Sequence, residues 1–315
     1  MTTLISPFLR LSTVLLLFGV PFGCQTVKKP VQPSTVDVRT ELRIVSGETG
    51  NHLTWSAFID DMTEADVIVL GEEHDDATGH AVQLAVVEDV LNERSGGVVA
   101  MEMLERDEQI LIDDYVDGLI DATTFAKETG STDWAGKGSW MAWYQPVVDA
   151  ALERNARVVA ANAPRRYARL ARVQGWDAIR ELPEARSWLV ELPPEPIEGT
   201  YRDRFYEIMS PSDHGEDDET DLSYIDTFYD AQQVWDATMA DSVVKAIGEH
   251  GSPVILLLGR FHSDHDGGTV QEIRRQLPDH RIRTISLETS RGEPLEAGSN
   301  VKQADVIIHT RIDEP

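Results

Sequence analysis

The sequence predicts an α/β fold with a largely parallel central sheet flanked by helices, and three observations lead to it. Short apolar runs of strand length recur along the chain, and amphipathic helical patterns lie between them. The runs are apolar throughout, as in parallel strands that are covered on both faces. Apolar residues make up 41% of the 315 residues, which is enough for a sizeable core.

Six strands are predicted from the apolar runs, the sixth from a weaker run than the others. The five stronger runs are residues 67–70, 98–101, 158–161, 254–258 and 306–308, and the weaker run is residues 282–287.

Helices are predicted from apolar residues that recur every three or four positions. Val82, Val86 and Val90 form one such stripe, and residues 75–78 before it offer N-cap side chains. Two further stripes are Trp140, Tyr144, Val147 and Ala151, and then Phe228, Ala231, Trp235, Met239 and Val243. Residues 164–242 contain no convincing strand, so we expect a helical excursion over one end of the sheet, with a polar loop at 212–221.

The N-terminal residues have the pattern of a bacterial lipoprotein signal. Arg10 precedes an apolar run at 11–20, and the chain's sole cysteine, Cys24, follows Gly23. We therefore expect a signal peptide at 1–23, a lipidated tether at 24–40 and a single α/β domain at 41–315, on the bacterial cell envelope. Pro21 departs from the lipoprotein pattern, and a plain secreted protein that carries a cysteine is the alternative.

The formal net charge of −27 excludes some partners. Nucleic-acid binding needs clustered Lys and Arg, so we expect no nucleic-acid partner. The same charge argues against attachment to an anionic membrane by charge alone.

Polar side chains cluster where the predicted strands end. The strand at 67–70 leads into Glu72, Glu73 and His74; the next carries Glu102; and the strand at 254–258 leads into His262. The strand at 158–161 is followed by Asn162, Arg165 and Arg166. In open α/β sheets, ligands bind beyond the carboxyl ends of the strands. The pattern therefore predicts a site there, and His74, Glu102 and His262 are of the types that bind a first-row metal or orient a cofactor.

Further candidates lie outside the strand ends. Gln232 and Asp236 are four residues apart on the third helical stripe, where Asp236 either needs a partner such as Arg165 or Arg166, or lies at the surface. His214 lies in the polar loop. Four aromatic residues either line an apolar pocket or pack in the core: Trp134, Trp140, Trp143 and Tyr144.

With these residues in view, the chain resembles the ChaN-like haem-binding lipoproteins, within the superfamily that includes the Tiki and TraB proteins and the erythromycin esterases. The resemblance spans about residues 50–290 and keeps the family's order. The matching stretches are GEEHDDATGH, VAMEMLERDEQ, SWMAWYQPVVDAA, VVAANAPRR, the histidine of SDHG, AQQVWDATMADSV and GRFHSDHDGG.

The resemblance implies a Tiki-like fold and, in the ChaN branch, haem binding for iron acquisition. Trp134, Trp140, Trp143 and Tyr144 would line the haem slot, Arg165 and Arg166 would pair with propionates, and Tyr201, Tyr224 or Tyr229 are candidate axial ligands beside histidine. The full set of cofactor-binding candidates is His74, His214, His262, Asn162, Arg165, Arg166, Gln232, Asp236 and Tyr144.

Elsewhere in the superfamily the same positions serve metal-dependent hydrolysis. A divalent ion such as Mn²⁺ or Zn²⁺ would then be held by His74, Glu102 and His262, with Glu72 or Glu73 as the catalytic base. A non-catalytic envelope protein that binds a small molecule or peptide is a third interpretation. We expect haem binding rather than an enzyme, and whether a homodimer shares one ligand stays open.

Overall fold

The computed structural model describes residues 29–210, 223–290 and 303–311. The predicted signal peptide, Cys24, the loop at 212–221 and His214 lie outside these residues. No helix of the described part is long and apolar enough to cross a membrane.

The described strands form one eight-stranded, mostly parallel sheet, which confirms the predicted fold class. The strands are β1 (Arg43–Ser46), β2 (His52–Leu53), β3 (Val67–Glu72), β4 (Val98–Glu105), β5 (Arg157–Asn162), β6 (Val254–Gly259), β7 (Ile282–Glu288) and β8 (Val306–His309). Their order is β2-β1-β8-β7-β3-β6-β4-β5. The strands from β8 to β5 are parallel, whereas β1 and β2 pair antiparallel at one edge.

Helices cover the sheet and form the predicted excursion between β5 and β6. They are α1 (Trp55–Thr63), α2 (Ala77–Glu93), α3 (Gln109–Val116), α4 (Ala122–Glu128), α5 (Gln145–Glu153), α6 (Arg165–Gln174), α7 (Trp176–Arg180), α8 (Glu184–Ser187), α9 (Thr200–Met209), α10 (Ser223–His250) and α11 (Gly268–Gln276). A π-helical turn, Trp140–Tyr144, precedes α5, and a 3₁₀ turn, Arg260–His262, follows β6.

Helix α2 shows how local sequence determines an element. Asp76 is its N-cap, and its carboxylate accepts a hydrogen bond from the Thr78 backbone at 3.0 Å. The stripe of Val82, Val86 and Val90 is fully buried against the sheet, as its spacing predicts.

The sheet has an apolar core on each face, because side chains alternate along a strand. On β3, Ile68 and Leu70 pack into the core beneath α1–α5, whereas Val67 and Val69 pack into the core beneath α10 and α11. This double coverage explains why the strand runs are apolar throughout.

The structure corrects part of the tether prediction. Residues 29–40 lie along the domain, with Val38 buried and with Val31 and Val36 packed against the core. Arg39 forms ion pairs at 2.9 Å with Glu88 and Asp89 of α2. The three valines make this stretch a packed strap, because they bury apolar surface that a free tether would expose.

The strand order brings the polar strand ends together. β6 lies between β3 and β4, and Glu72 at the end of β3 is paired in register with Gly259 at the end of β6. The chain segment that connects β3 to β4 thus passes over β6. The carboxyl ends of these three strands form the edge at which ligands bind in open α/β sheets.

Candidate functional site

Glu72 is a buried carboxylate at the centre of this edge. Its Oε1 accepts hydrogen bonds from the Tyr144 hydroxyl at 2.7 Å and from His74 Nδ1 at 2.8 Å. Its Oε2 accepts from Gln83 Nε2 at 2.7 Å. Burial acts to raise the pKa of Glu72, but the charges of His80 and His74 and these hydrogen bonds hold it below its ordinary value. The carboxylate is therefore ionised and fully bonded.

His74 is half-exposed and held in one orientation. A carboxylate can only accept, so Nδ1 donates to Glu72, and Nε2 makes no hydrogen bond to a described residue. The ring meets Trp134 edge-on, with 4.7 Å between centroids. It also lies over Gly259, where a Cβ would come within 3.0 Å of Nε2. Glycine at that position makes room for the imidazole.

The pKa of His74 is raised by its surroundings. Burial acts to lower it, and the hydrogen bond and negative charge of Glu72 outweigh that effect. The side chain is 45% exposed, and its Nε2 lies beside Gly259.

His262 forms a second carboxylate–histidine pair, and this pair is buried. Its Nδ1 donates to Asp236 Oδ1 at 2.7 Å, and its Nε2 faces Glu102 Oε1 at 3.8 Å. Burial acts to lower the pKa of His262, but the charges of Asp236 and Glu102 raise it to about 9. The imidazole is a fixed cation at neutral pH.

Asp236 has other partners than the arginines expected from the sequence. The carboxylate is fully buried and accepts from Tyr201, His262 and Thr269, each at 2.7 Å. The expectation of a partner in Arg165 or Arg166 was wrong. Helix α6 directs Arg165 towards Glu105, at 3.8 Å, and Arg166 towards Asp107, at 2.6 Å.

Each pair thus has the same composition: a tyrosine hydroxyl and an imidazole both donate to one buried carboxylate. The two sets are Tyr144–Glu72–His74 and Tyr201–Asp236–His262. Burial and then the adjacent carboxylate raise the pKa of both tyrosines well above the ordinary value, so both hydroxyls keep their protons.

Gln232 supports the second set. Its Nε2 lies 3.0 Å from the Tyr201 hydroxyl and 3.2 Å from His262 Nδ1. Since Nδ1 donates to Asp236, we assign the Tyr201 hydroxyl as the acceptor of this amide.

Glu102 and Asn162 connect the strand ends. Glu102 Oε2 accepts from the Gly259 backbone at 2.5 Å, which links β4 to β6. Asn162 Nδ2 donates to the Glu102 carbonyl at 3.0 Å, which links β5 to β4. Glu73 points away from this group, since it accepts from the Thr289 backbone at 3.2 Å and lies 3.6 Å from Arg260.

Of the four aromatic candidates, one lies beside the site and three are buried in the hydrophobic core. Trp134 lies beside His74, whereas Trp140, Trp143 and Tyr144 are buried in the core under α2 and α5.

The tyrosines proposed as axial ligands are already bonded. Tyr201 donates to Asp236, and the buried Tyr229 donates to the Ile197 carbonyl at 2.6 Å. Tyr224 is exposed and donates to the Met209 carbonyl at 3.4 Å.

The three predicted metal ligands share this edge without forming a chelating group. In the described ranges, no group of three or more His, Cys, Asp or Glu side chains has an arrangement that could hold a metal ion. The set of His74, Glu102 and His262 therefore stays a prediction.

Three residues of the hydrogen-bond networks around Glu72 and Asp236 had no predicted role: His80, Gln83 and Thr269. His80 stacks on Trp143 at 4.5 Å and lies 3.0 Å from the Gln83 side chain, which in turn bonds Glu72. The sequence signal was present, since His80 closes the GEEHDDATGH stretch and Gln83 is one turn further along α2.

The sheet with its site at the carboxyl ends of β3, β6 and β4 defines an α/β protein of the Tiki type. The chain belongs to the family described as haem-binding uptake, Tiki superfamily, ChaN, whose sequence profile matches residues 58–273.

Several solved structures are similar to this chain, and the first of them shares its fold. ChaN of Campylobacter jejuni, described for its cofacial heme binding, is 20% identical with a TM-score of 0.64, and the match covers 89% of this chain and 99% of that one. The type III effector HopBA1 is 7% identical with a TM-score of 0.46 over 88% and 100% of the two chains. A mutant of the erythromycin esterase EreC is 11% identical with a TM-score of 0.41 over 85% and 83%. The comparison with curated proteins gave no match.

The raised pKa of His262 predicts how stability depends on pH. Because it rises from 6.5 to about 9 in the folded protein, its contribution is complete below pH 6.5 and is lost as pH rises through 9. We expect the free energy of unfolding to fall over that range and Asp236→Asn to flatten the fall. Denaturant unfolding at a series of pH values, with NMR titration of the imidazoles, measures both. A His262 that titrates below its ordinary value would contradict the ion pair.

Proposed function

We propose that this protein is a lipid-anchored haem-binding protein of the bacterial cell envelope that serves haem and iron uptake. The observation that carries the proposal is His74, a half-exposed imidazole whose Nδ1 is bonded to buried Glu72 and whose Nε2, beside Gly259, makes no hydrogen bond to a described residue. Membership of the haem-binding uptake family supports the same conclusion.

His74 has the features of a histidine that binds haem iron. A metal-ligating histidine usually donates its other ring N–H to a carboxylate or carbonyl, which fixes the tautomer and makes the free nitrogen more basic. Glu72 supplies that carboxylate. Trp134 and Gly259 restrict the ring on two sides, and Trp134 offers an apolar surface to a flat ligand. Bound haem would supply the iron chemistry, and these residues would hold and orient it.

His262 has a different role in this proposal. It is only 8% exposed and its Nδ1 is bonded to Asp236, so a porphyrin has no access to it. Its positive charge lies between Asp236 and Glu102 and offsets two carboxylates beneath the site.

Arg165 is the better of the two candidate cations for a propionate. Its side chain is 72% exposed, and its only ion pair among the described residues is the long contact to Glu105. Arg166 is bound more closely, to Asp107. Glu108, an acidic neighbour of Arg165, is partly protonated at neutral pH, because burial raises its pKa to about 7.

A second copy of the chain is part of the proposal. ChaN of Campylobacter jejuni is described as binding heme cofacially. An imidazole at the surface covers one face of a haem and leaves the other face free. We propose that two copies bring two haems together.

Metal-dependent hydrolysis is the second candidate, and one observation favours it. The Asp236–His262 pair faces Glu102 at 3.8 Å, which places a charged imidazole and a carboxylate together beside His74. In that case Mn²⁺ or Zn²⁺ would bind His74, Glu102 and His262, and the imidazolium of His262 would have to release its Nε2 proton to become a ligand.

Hemin titration tests the role of His74. His74→Ala should abolish the histidine-ligated spectrum, and Glu72→Gln should weaken hemin binding by about 10–100-fold, the usual cost of losing a partner of a metal ligand. His250→Ala is the control, because that histidine is the last residue of α10, at the end that leads into the amino end of β6. Unchanged hemin affinity and spectrum in His74→Ala would show that the ligand is another residue.

Glu102 and Arg165 separate the two candidate functions. If Arg165 pairs with a propionate, Arg165→Ala should weaken hemin binding by about 1.5–3 kcal/mol, the range for a hydrogen bond to a charged group. Arg169→Ala, which removes an exposed arginine of the same helix, is the matched control. Glu102→Gln should spare hemin and weaken only Mn²⁺ or Zn²⁺, if either binds. Metal loss in Glu102→Gln with hemin unaffected by Arg165→Ala would favour the hydrolase.

The lipid anchor is tested at Cys24. Cys24→Ser should release the protein from the membrane fraction, because Cys24 carries the only cysteine thiol of the chain to which a lipid can attach. Fractionation with immunoblotting measures this, and the wild-type chain is the reference. A Cys24→Ser protein that stays in the membrane pellet through high salt would show that the anchor lies elsewhere.

A further inference from the structure

We propose that one face of this protein rests on the headgroups of an anionic lipid bilayer, so that the mouth of the His74 site opens beside the lipid. We call it the lysine face and define it by residues 29–32, the turn at 133–138, Lys127 and Met141. The inference rests on the lipid anchor at Cys24 in the proposed function.

The described chain enters the domain at this face. The Val31 backbone donates to the Lys137 carbonyl at 2.9 Å, and Trp143 Nε1 donates to the Gln32 carbonyl at 3.0 Å. Val31 also lies 3.3 Å from the Cβ position at Gly136. The strap is therefore fixed to the turn at 133–138 by backbone hydrogen bonds and packing.

The same turn reaches the site. The Gly136 backbone donates to the Asp133 carbonyl at 3.2 Å, and the Gly138 backbone donates to the Asp133 carboxylate at 2.6 Å. Trp134 within this turn forms the edge-on contact with His74. One compact turn thus joins the point where the strap begins to the exposed imidazole.

The short span between Cys24 and Lys29 limits which side can face a bilayer. Five residues reach at most about 18 Å when fully extended. A globular chain of this length is roughly 50 Å across. An anchor of that reach keeps the strap's side of the molecule next to the membrane and excludes the far side.

The charge distribution favours the same orientation. The chain has 55 acidic residues against 28 lysines and arginines, and its six lysines are at 28, 29, 127, 137, 245 and 302. Four of the six belong to the lysine face or directly precede it in sequence. Lys127 is 79% exposed, with Glu128 at 3.8 Å as its ion-pair partner. Basic residues close to an anionic leaflet are attracted to it, whereas the acidic remainder is repelled.

An apolar side chain completes this face. Met141, four residues after Lys137 and within the π-helical turn, is 46% exposed. Lysines around an exposed apolar side chain are typical of surfaces that lie at a membrane interface. A protein held this way would take an amphiphilic ligand from the leaflet without its crossing bulk water.

Site-specific fluorescence quenching tests the orientation. The full lipidated chain is bound to vesicles of phosphatidylglycerol and phosphatidylethanolamine whose headgroups carry a quencher. Lys137→Cys and Lys245→Cys each provide one free thiol for a fluorophore, because lipid occupies Cys24. The two variants change charge equally. Lys245 lies near the end of α10, which leads into the amino end of β6, on the opposite edge of the sheet.

We expect severalfold stronger quenching at position 137 than at position 245, and a smaller difference when zwitterionic lipid replaces the anionic lipid. Equal quenching, or stronger quenching at 245, in vesicle-bound protein overturns the orientation and leaves haem binding and the anchor standing. A chain that fails to float with vesicles disproves the anchor, and the orientation with it. Hemin titration of the same samples reports separately on the proposed function.

Discussion

The buried negative charge of Glu72 is the constraint on which the site depends. A carboxylate removed from water costs several kcal/mol unless its oxygens are fully bonded. Here the donors come from three separate elements: Tyr144 from the π-helical turn, Gln83 from α2 and His74 from the loop after β3. Stabilising this charge therefore helps to fix the helices on that face of the sheet, and the same contacts hold the half-exposed imidazole of His74 in one orientation. Fold and site share one set of hydrogen bonds.

The second carboxylate–histidine pair shows that exposure, rather than composition, decides what such a pair can do. Asp236 and His262 repeat the chemistry of Glu72 and His74, with a tyrosine donating to each carboxylate. Buried under α10 and α11, the second pair stays charged and closed. At the open edge of the sheet, the first pair leaves one nitrogen available to a ligand. Only the open pair has an imidazole nitrogen that is free to bind iron, and this difference supports haem bound by His74 over a metal ion held by both histidines.

The sequence predicted the sheet and the strand-end cluster because both follow from short-range patterns. Double-sided burial makes the parallel strands apolar, and polar residues directly after them mark the carboxyl edge. Contacts between distant segments were not predictable this way. Asp236 meets Tyr201 and His262 only once α9, α10 and the turn after β6 pack together, so the expected pairing with Arg165 failed. The edge strands β1 and β2 were missed because β1 (RIVS) has only two apolar residues and β2 (HL) only one, too few for an apolar run.

Resonance Raman spectroscopy of the ferrous haem complex measures the bond between iron and an axial histidine directly. If Glu72 orients His74 and makes its Nε2 more basic, the spectrum should show an iron–histidine stretching band. In Glu72→Gln that band should shift to lower frequency, because a neutral amide is a weaker hydrogen-bond acceptor than a carboxylate. A band that is absent from the wild-type complex, or one that keeps its frequency in Glu72→Gln, would contradict the role assigned to the buried carboxylate and its imidazole.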